Sequence, residues 1–194
     1  MYSPIRRFGP EDAKTLASDG VAVLAVVRDP VAMVLSWIKS TSKYHITKRG
    51  EEMFRRRADL LACKTEHERI VYAISYFAEK DRFGQYDRLL AFCEDHPNAI
   101  VVRYEDCCSE PNATFGRIFG ALDIGMKGDV LKSFLDRHSF EAYSGRLITD
   151  PAASAESSLQ GRTHLEAQAL SEPSRATIVQ ALPPRVRRLY GGSQ

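Results

Sequence analysis

The first regular feature of the chain is an apolar, valine-rich run from Val21 to Val27. Such a run is typical of a strand that is buried on both faces, as in a parallel sheet. Asp29 and Pro30 follow as an N-cap and a first-turn proline. Helical spacing then continues through four apolar positions, Val31, Val34, Leu35 and Ile38. The pattern predicts a strand, a turn and a helix in direct succession.

Helical and strand patterns alternate in the middle of the chain. Between Glu66 and about Asp95, apolar residues recur at intervals of three and four, and we interpret Gly84 as a break between two helices. A second short apolar run, Ala99 to Val102, predicts another buried strand. The cap-then-proline signal Ser109-Glu110-Pro111 predicts that a helix follows this strand at once.

Helical patterns return towards the C-terminus. Leu131, Phe134 and Leu135 indicate a short helix, whereas residues 144–163 lack periodicity and predict a mobile loop. A last helix is expected to start at Ser171 and to be interrupted at Pro183-Pro184. Together these elements predict one α/β domain over residues 1–194, a three-layer sandwich in which helices flank a mostly parallel sheet.

Composition narrows the class of protein. The 194 residues include 44% hydrophobic ones, and 27 Lys and Arg against 25 Asp and Glu leave a net charge of only +2. This balance does not favour a protein that mainly neutralises a nucleic-acid backbone. No apolar run approaches the ~20 residues that span a bilayer, and the N-terminus does not resemble a signal peptide. We expect a soluble protein with no membrane partner.

The cysteines carry no recognisable site pattern. Cys63, Cys93, Cys107 and Cys108 form no C-x-x-C pair and have no histidine at zinc-finger spacing. The sequence therefore predicts neither a metal site nor a disulfide framework. Reduced thiols favour a cytoplasmic location.

Arg28 and Ser36 are the first candidates for binding an anion. Arg28 follows the first strand, so it should lie at the carboxyl edge of the sheet, beside a helix N-terminus that attracts negative charge. Ser36 lies about 9 Å further along that helix, within reach of a phosphate that Arg28 also contacts. An equally good interpretation from these residues alone is that Arg28 pairs with Glu105 or Asp106 and that Ser36 faces solvent.

Two blocks of the sequence resemble the PAPS-dependent sulfotransferases, which use 3′-phosphoadenosine 5′-phosphosulfate (PAPS). Val26 to Pro30, followed by Val34 to Trp37, is similar to their V-R-D/N-P-x-D/E-x-x-x-S motif, and the serine offset matches. The resemblance implies that Arg28 and Ser36 hold the 3′-phosphate of the donor. Val101 to Asp106, with a proline and an amphipathic helix after it, resembles the R-Y-E-D-L…P…F-L-G segment. This resemblance implies that Tyr104 contacts the adenine.

Two further elements extend the resemblance towards the C-terminus. Ser139-Phe140-Glu141 resembles a short S-F-E/D element, which implies that Phe140 stacks on the adenine. Gln160-Gly161-Arg162 lies where the family has R-K-G, with the order changed, and makes Arg162 a candidate for clamping the 3′-phosphate. The implied fold is like that of the P-loop NTPases. The implied reaction transfers a sulfonate from PAPS to a small-molecule or carbohydrate hydroxyl and leaves adenosine 3′,5′-bisphosphate (PAP), without a metal.

The sequence also departs from the family. No P-K-S/T-G-S/T-T loop precedes Val21, and the first histidine, His45, follows the arginine motif instead of preceding it. The donor-side lysine and the catalytic histidine therefore have no counterparts here, and the catalytic residues stay unknown. We expect an N-terminally incomplete enzyme that begins upstream of Met1. The alternative is a catalytically inactive, sulfotransferase-like binding or interaction module.

Two other segments carry secondary hypotheses. The stretch from Trp37 to Arg57, with Glu51 and Glu52, is a candidate lining for the acceptor cleft. The arginine runs 55–57 and 185–188 suggest nucleic-acid binding. Two observations disfavour this hypothesis: the net charge is small, and a run of charges on a helix usually faces solvent.

Overall fold

The structure is a computed structural model that describes residues 10–16, 22–43, 50–126, 128–138 and 170–191. Its first half contains, in chain order, α1 Pro10–Leu16, β1 Val23–Val27, α2 Pro30–Lys43, α3 Gly50–Ala62, α4 Glu66–Glu79 and α5 Arg82–Asp95. The second half contains β2 Ala99–Arg103, α6 Tyr104–Ser109, α7 Pro111–Ala121, α8 Gly128–His138, α9 Glu172–Gln180 and α10 Pro184–Gly191. The loop predicted over residues 144–163 lies outside the described residues.

The described sheet is a parallel pair of strands, β1 and β2. Their register runs from Val23 opposite Ala99 to Val27 opposite Arg103. The connection between them passes through the helices α2 to α5, as a parallel crossover requires. Both strands were predicted from their apolar runs, and their parallel pairing with intervening helices is compatible with the predicted α/β class.

The prediction that β1 is buried on both faces is wrong. Val23, Ala25 and Val27 are buried, whereas Leu24 and Val26 are 43% and 54% exposed. This alternation is that of a strand with one covered face. Helix α5 packs against both strands, and the alternating side chains of β1 can meet such a helix from one side only.

Five helices and the end of β1 share one apolar core. Helix α9 packs on α4 and α2, and α10 packs on α5. Buried members of the core come from each of these elements: Val27, Val34, Ile70, Phe77, Leu90, Ile178 and Val186. The C-terminal helices therefore complete a core that β1 and α2 begin.

The break between α4 and α5 lies at Lys80 and Asp81, not at Gly84 as predicted. Asp81 adopts a left-handed conformation with φ of 49°, and α5 starts at the next residue. A Cβ at Gly84 would collide with the Asp81 carboxylate. The glycine is thus explained by a close approach inside α5 and not by a helix end.

Local cap signals locate the other helix starts. Thr65 and Glu68 form a capping box at the start of α4, Pro111 opens α7, and Ser171 is the N-cap of α9. Pro183-Pro184 separates α9 from α10, as predicted. Helices α1, α3 and α6 were not predicted. None of the helices in the described ranges has the length and apolar character needed to cross a membrane.

Candidate functional site

Two arginines lie together at the carboxyl edge of the parallel strands. Arg28 follows β1 directly, and Arg103 is the last residue of β2, opposite Val27 in the register. Asp29 caps the following helix, because its Oδ1 accepts a hydrogen bond of 2.8 Å from the backbone N–H of Val31. The edge of the sheet thus combines guanidinium groups with the N-terminus of α2, a setting that suits an anion.

Arg28 and Tyr104, which come from the two sequence blocks, are in contact. The Cζ atom of Arg28 lies 4.9 Å from the centre of the Tyr104 ring. This distance is within the range of a cation–π interaction. Partial burial is the main cause that raises the pKa of Tyr104, and a hydrogen bond with the Cys108 thiol is the second. The Tyr104 hydroxyl therefore stays neutral at physiological pH.

Glu105 holds the turn that follows Arg28. One of its carboxylate oxygens accepts a hydrogen bond of 2.9 Å from the backbone N–H of Asp29. The other lies 4.0 Å from Nε of Arg103, and the side chain is only 10% exposed. Glu105 therefore joins the end of β2 to the start of α2.

Two tyrosines that the sequence did not single out complete the edge. The Tyr86 hydroxyl donates a hydrogen bond of 3.0 Å to the carbonyl oxygen of Arg28 and lies 3.1 Å from the Tyr190 hydroxyl. The Cζ atom of Arg103 lies 5.0 Å from the centre of the Tyr190 ring. Burial raises the pKa of Tyr86 and of Tyr190, so both hydroxyls keep their protons.

The remaining predicted site residues have different outcomes. Ser36 is half-buried on α2, two turns after its start, and its convergence with Arg28 on one phosphate stays a prediction. Phe140 and Arg162 lie outside the described residues. Of the five predicted ligand-binding residues, the structure brings Arg28 and Tyr104 together.

A separate charged hollow lies on α3, where the sequence suggested an acceptor cleft. It has a volume of about 360 Å³ and is lined by Glu51, Glu52, Arg55, Arg56 and Asp59. Arg56 is paired with Glu52 and with Glu79 at 2.8 Å in each case, and its Cζ atom lies 4.4 Å from the Tyr76 ring centre. The charge of Arg56 in this hollow is therefore already neutralised by two carboxylates.

Acid should weaken this ion-pair network. Hydrogen bonds lower the pKa of Glu52 and of Glu79, and the bond from Arg56 has a larger effect than the bond from Lys80. A carboxylate whose folded pKa is depressed stabilises the fold above its unfolded pKa, and this contribution is lost as the pH falls through the folded value. We expect the free energy of unfolding, measured in urea, to fall between about pH 5 and pH 3.

The size of this effect is limited because both carboxylates are more than half exposed. The double variant Glu52→Gln with Glu79→Gln should flatten the pH dependence. Glu51→Gln removes a carboxylate with one long contact of 3.5 Å to Arg55 and should keep the wild-type slope. Superimposable pH profiles for the wild type and the double variant would contradict the assignment.

Comparisons with known proteins give no further guidance to the site. No family model, no curated protein and no solved structure matches the chain. The resemblance to the sulfotransferases accordingly rests on the sequence motifs alone.

Proposed function

We propose that this chain binds PAPS and its product PAP at the carboxyl edge of β1 and β2. In this proposal Arg28 and Ser36 bind the 3′-phosphate, and Tyr104 contacts the adenine. The observation that carries it is the 4.9 Å contact between Arg28 and Tyr104, which lie 76 positions apart in two separate motifs. The two residues that the resemblance assigns to one nucleotide are therefore neighbours.

The finer parts of the proposal follow from the same resemblance. The parallel strands and their helices are taken as part of a three-layer, P-loop-like sandwich. Phe140 is assigned to the second adenine contact, and Arg162 to the 3′-phosphate. The protein is assigned to the cytoplasm, in keeping with four cysteines that are all free thiols.

The proposed activity is sulfonate transfer from PAPS to a hydroxyl group. In PAPS the bond between sulfur and the oxygen that links it to the 5′-phosphate breaks, and PAP leaves with that oxygen. A bond forms between sulfur and the acceptor oxygen, and the acceptor hydroxyl proton goes to a base. The residues assigned here bind and orient the donor. General-base assistance is worth ~10²–10⁴-fold in rate, so an enzyme of this type needs a group for that step beyond the residues named here.

A catalytically inactive binding module is the second candidate. The observation behind it is that residues 1–27 hold neither a histidine nor a P-K-S/T-G-S/T-T loop, the two features to which the resemblance assigns catalysis. A module that kept the nucleotide site differs from the enzyme in turnover, whereas one that serves only as an interaction module does not bind PAP. Transfer of labelled sulfonate from PAPS to a panel of phenols, sugars and small alcohols separates them, because a binding module gives none.

Nucleic-acid binding finds less support. Arg56 is held by two carboxylates, and Arg57 donates to the carbonyl oxygen of Ser42 at 3.1 Å. Arg185 pairs with Asp87 and Glu94 at 3.3 and 2.9 Å. These contacts engage two arginines of the first run and one of the second, and so reduce the charge that the runs offer to phosphates.

Calorimetry with PAP and with adenosine 5′-monophosphate (AMP) tests the proposal directly. The two ligands differ by the 3′-phosphate, and each charge-assisted hydrogen bond is worth roughly 1.5–3 kcal/mol. We expect PAP to bind at least tenfold more tightly than AMP. Equal affinities, or no PAP binding at millimolar concentration, would reject the proposed site.

A further inference from the structure

We propose that Tyr86 and Tyr190 are positioning residues that fix Arg28 for binding the 3′-phosphate. The inference rests on the proposed function and adds two residues that the sequence resemblance does not assign. It follows from the way in which one peptide bond, between Arg28 and Asp29, is held at the end of β1.

Both polar groups of that peptide unit are bound by side chains. Its carbonyl oxygen accepts the 3.0 Å hydrogen bond from the Tyr86 hydroxyl, and its N–H donates the 2.9 Å hydrogen bond to Glu105. In a trans peptide the C=O and N–H point in opposite directions, so α5 and α6 hold the plane from two sides. Rotation of this plane would change ψ of Arg28 and break both bonds.

Further contacts close a ring around the turn. The Tyr86 hydroxyl lies 3.1 Å from the Tyr190 hydroxyl, and the centre of the Tyr190 aromatic ring lies 5.0 Å from the Cζ atom of Arg103. Nε of Arg103 in turn lies 4.0 Å from a carboxylate oxygen of Glu105. Glu105 then returns to the peptide of Arg28. Because Tyr190 lies on α10, the C-terminal helix is coupled to the backbone of the arginine 162 positions earlier.

A fixed backbone benefits a ligand-binding arginine. Groups that are ordered before binding lose less freedom when the ligand arrives, so preorganisation raises affinity without a new contact. Tyr86 is buried and its hydroxyl is already engaged, so its role is to hold Arg28 and not to touch the nucleotide.

Tyr86→Phe removes the hydroxyl and keeps the ring. We expect PAP affinity to fall about 3- to 10-fold, the range for losing one hydrogen bond, while AMP affinity changes less than about twofold. Hydrogen exchange at the Asp29 amide should also become faster, because its peptide plane is released. Tyr72→Phe is the matched control, since it deletes a tyrosine hydroxyl bonded to Asp59 at 3.1 Å on the helix surface, and it should change neither measurement.

The outcomes separate this inference from the proposed function. If the wild type shows no preference for PAP over AMP, the nucleotide site itself fails. If the wild type prefers PAP and Tyr86→Phe keeps both the full preference and slow Asp29 exchange, the positioning role fails and the site stands. Equal losses for PAP and AMP would indicate general damage and would also overturn the positioning role.

Tyr190→Phe provides a second variant should Tyr86→Phe fold poorly. Tyr190 is half-buried, and its substitution removes the hydroxyl that lies against Tyr86. We expect a smaller loss, about 2- to 5-fold for PAP, again without a matching loss for AMP. An unchanged ratio of the two affinities in this variant would overturn the coupling of α10 to Arg28.

Discussion

Replacing Arg28 with alanine should weaken PAP binding by at least tenfold and leave the fold intact. In the proposed complex this side chain donates charge-assisted hydrogen bonds to the 3′-phosphate, each worth roughly 1.5–3 kcal/mol or about 10- to 150-fold in affinity. The side chain is half-buried at the edge of the sheet and lies outside the apolar core. Titration calorimetry gives the affinity, and thermal unfolding reports whether the fold is intact.

Arg55→Ala is the matched control for this variant. Arg55 carries the same charge but is 75% exposed on α3, with one long ion pair of 3.5 Å. Its loss should leave PAP affinity within about twofold of the wild type. If Arg28→Ala unfolds like the wild type and binds PAP equally well, Arg28 has no part in the site. Arg28→Lys adds a test of geometry, because lysine keeps the charge but lacks the planar fork of donors.

Local signals explain which parts of the fold were predictable. The strands β1 and β2 follow from short apolar runs, and the starts of α2 and α9 follow from Asp29 and Ser171, each with a proline close behind. The start of α7 follows from Pro111 alone, because Ser109, which was predicted as its cap, is the last residue of α6. These signals act over a few residues, so they do not depend on contacts with distant parts of the chain. The placement of Arg28 at the end of a parallel strand belongs to the same kind of inference.

Tertiary packing decided the features that were missed. Leu24 and Val26 are as apolar as their neighbours, and only the arrangement of helices around β1 leaves them exposed. Helix α3 is amphipathic, but six of its 13 residues are charged, so no long apolar stripe marks it in the sequence. Tyr86 and Tyr190 lie 104 positions apart, and no pattern in either segment indicates that their hydroxyls meet.

Truncating Phe77 should have the largest effect on stability. Phe77 is 4% exposed on α4, and its ring lies 6.2 Å from that of Trp37 on α2 and 5.2 Å from that of Phe83 on α5. Phe77→Ala should lower the free energy of unfolding by about 3–5 kcal/mol, because it removes apolar contacts and leaves a cavity among three helices. Urea unfolding followed by circular dichroism measures the change.

Phe54→Ala makes the same substitution at a phenylalanine that is 51% exposed on α3, and it should cost less than about 1 kcal/mol. Equal losses for the two variants would contradict the packing of α4 between α2 and α5.

The packing of Phe77 also concerns the proposed nucleotide site, since Arg28 precedes α2 and Tyr86 lies on α5. If Phe77 sets the distance between these helices, a folded Phe77→Leu variant should bind PAP less tightly than the wild type, whereas Phe54→Leu should bind it equally well.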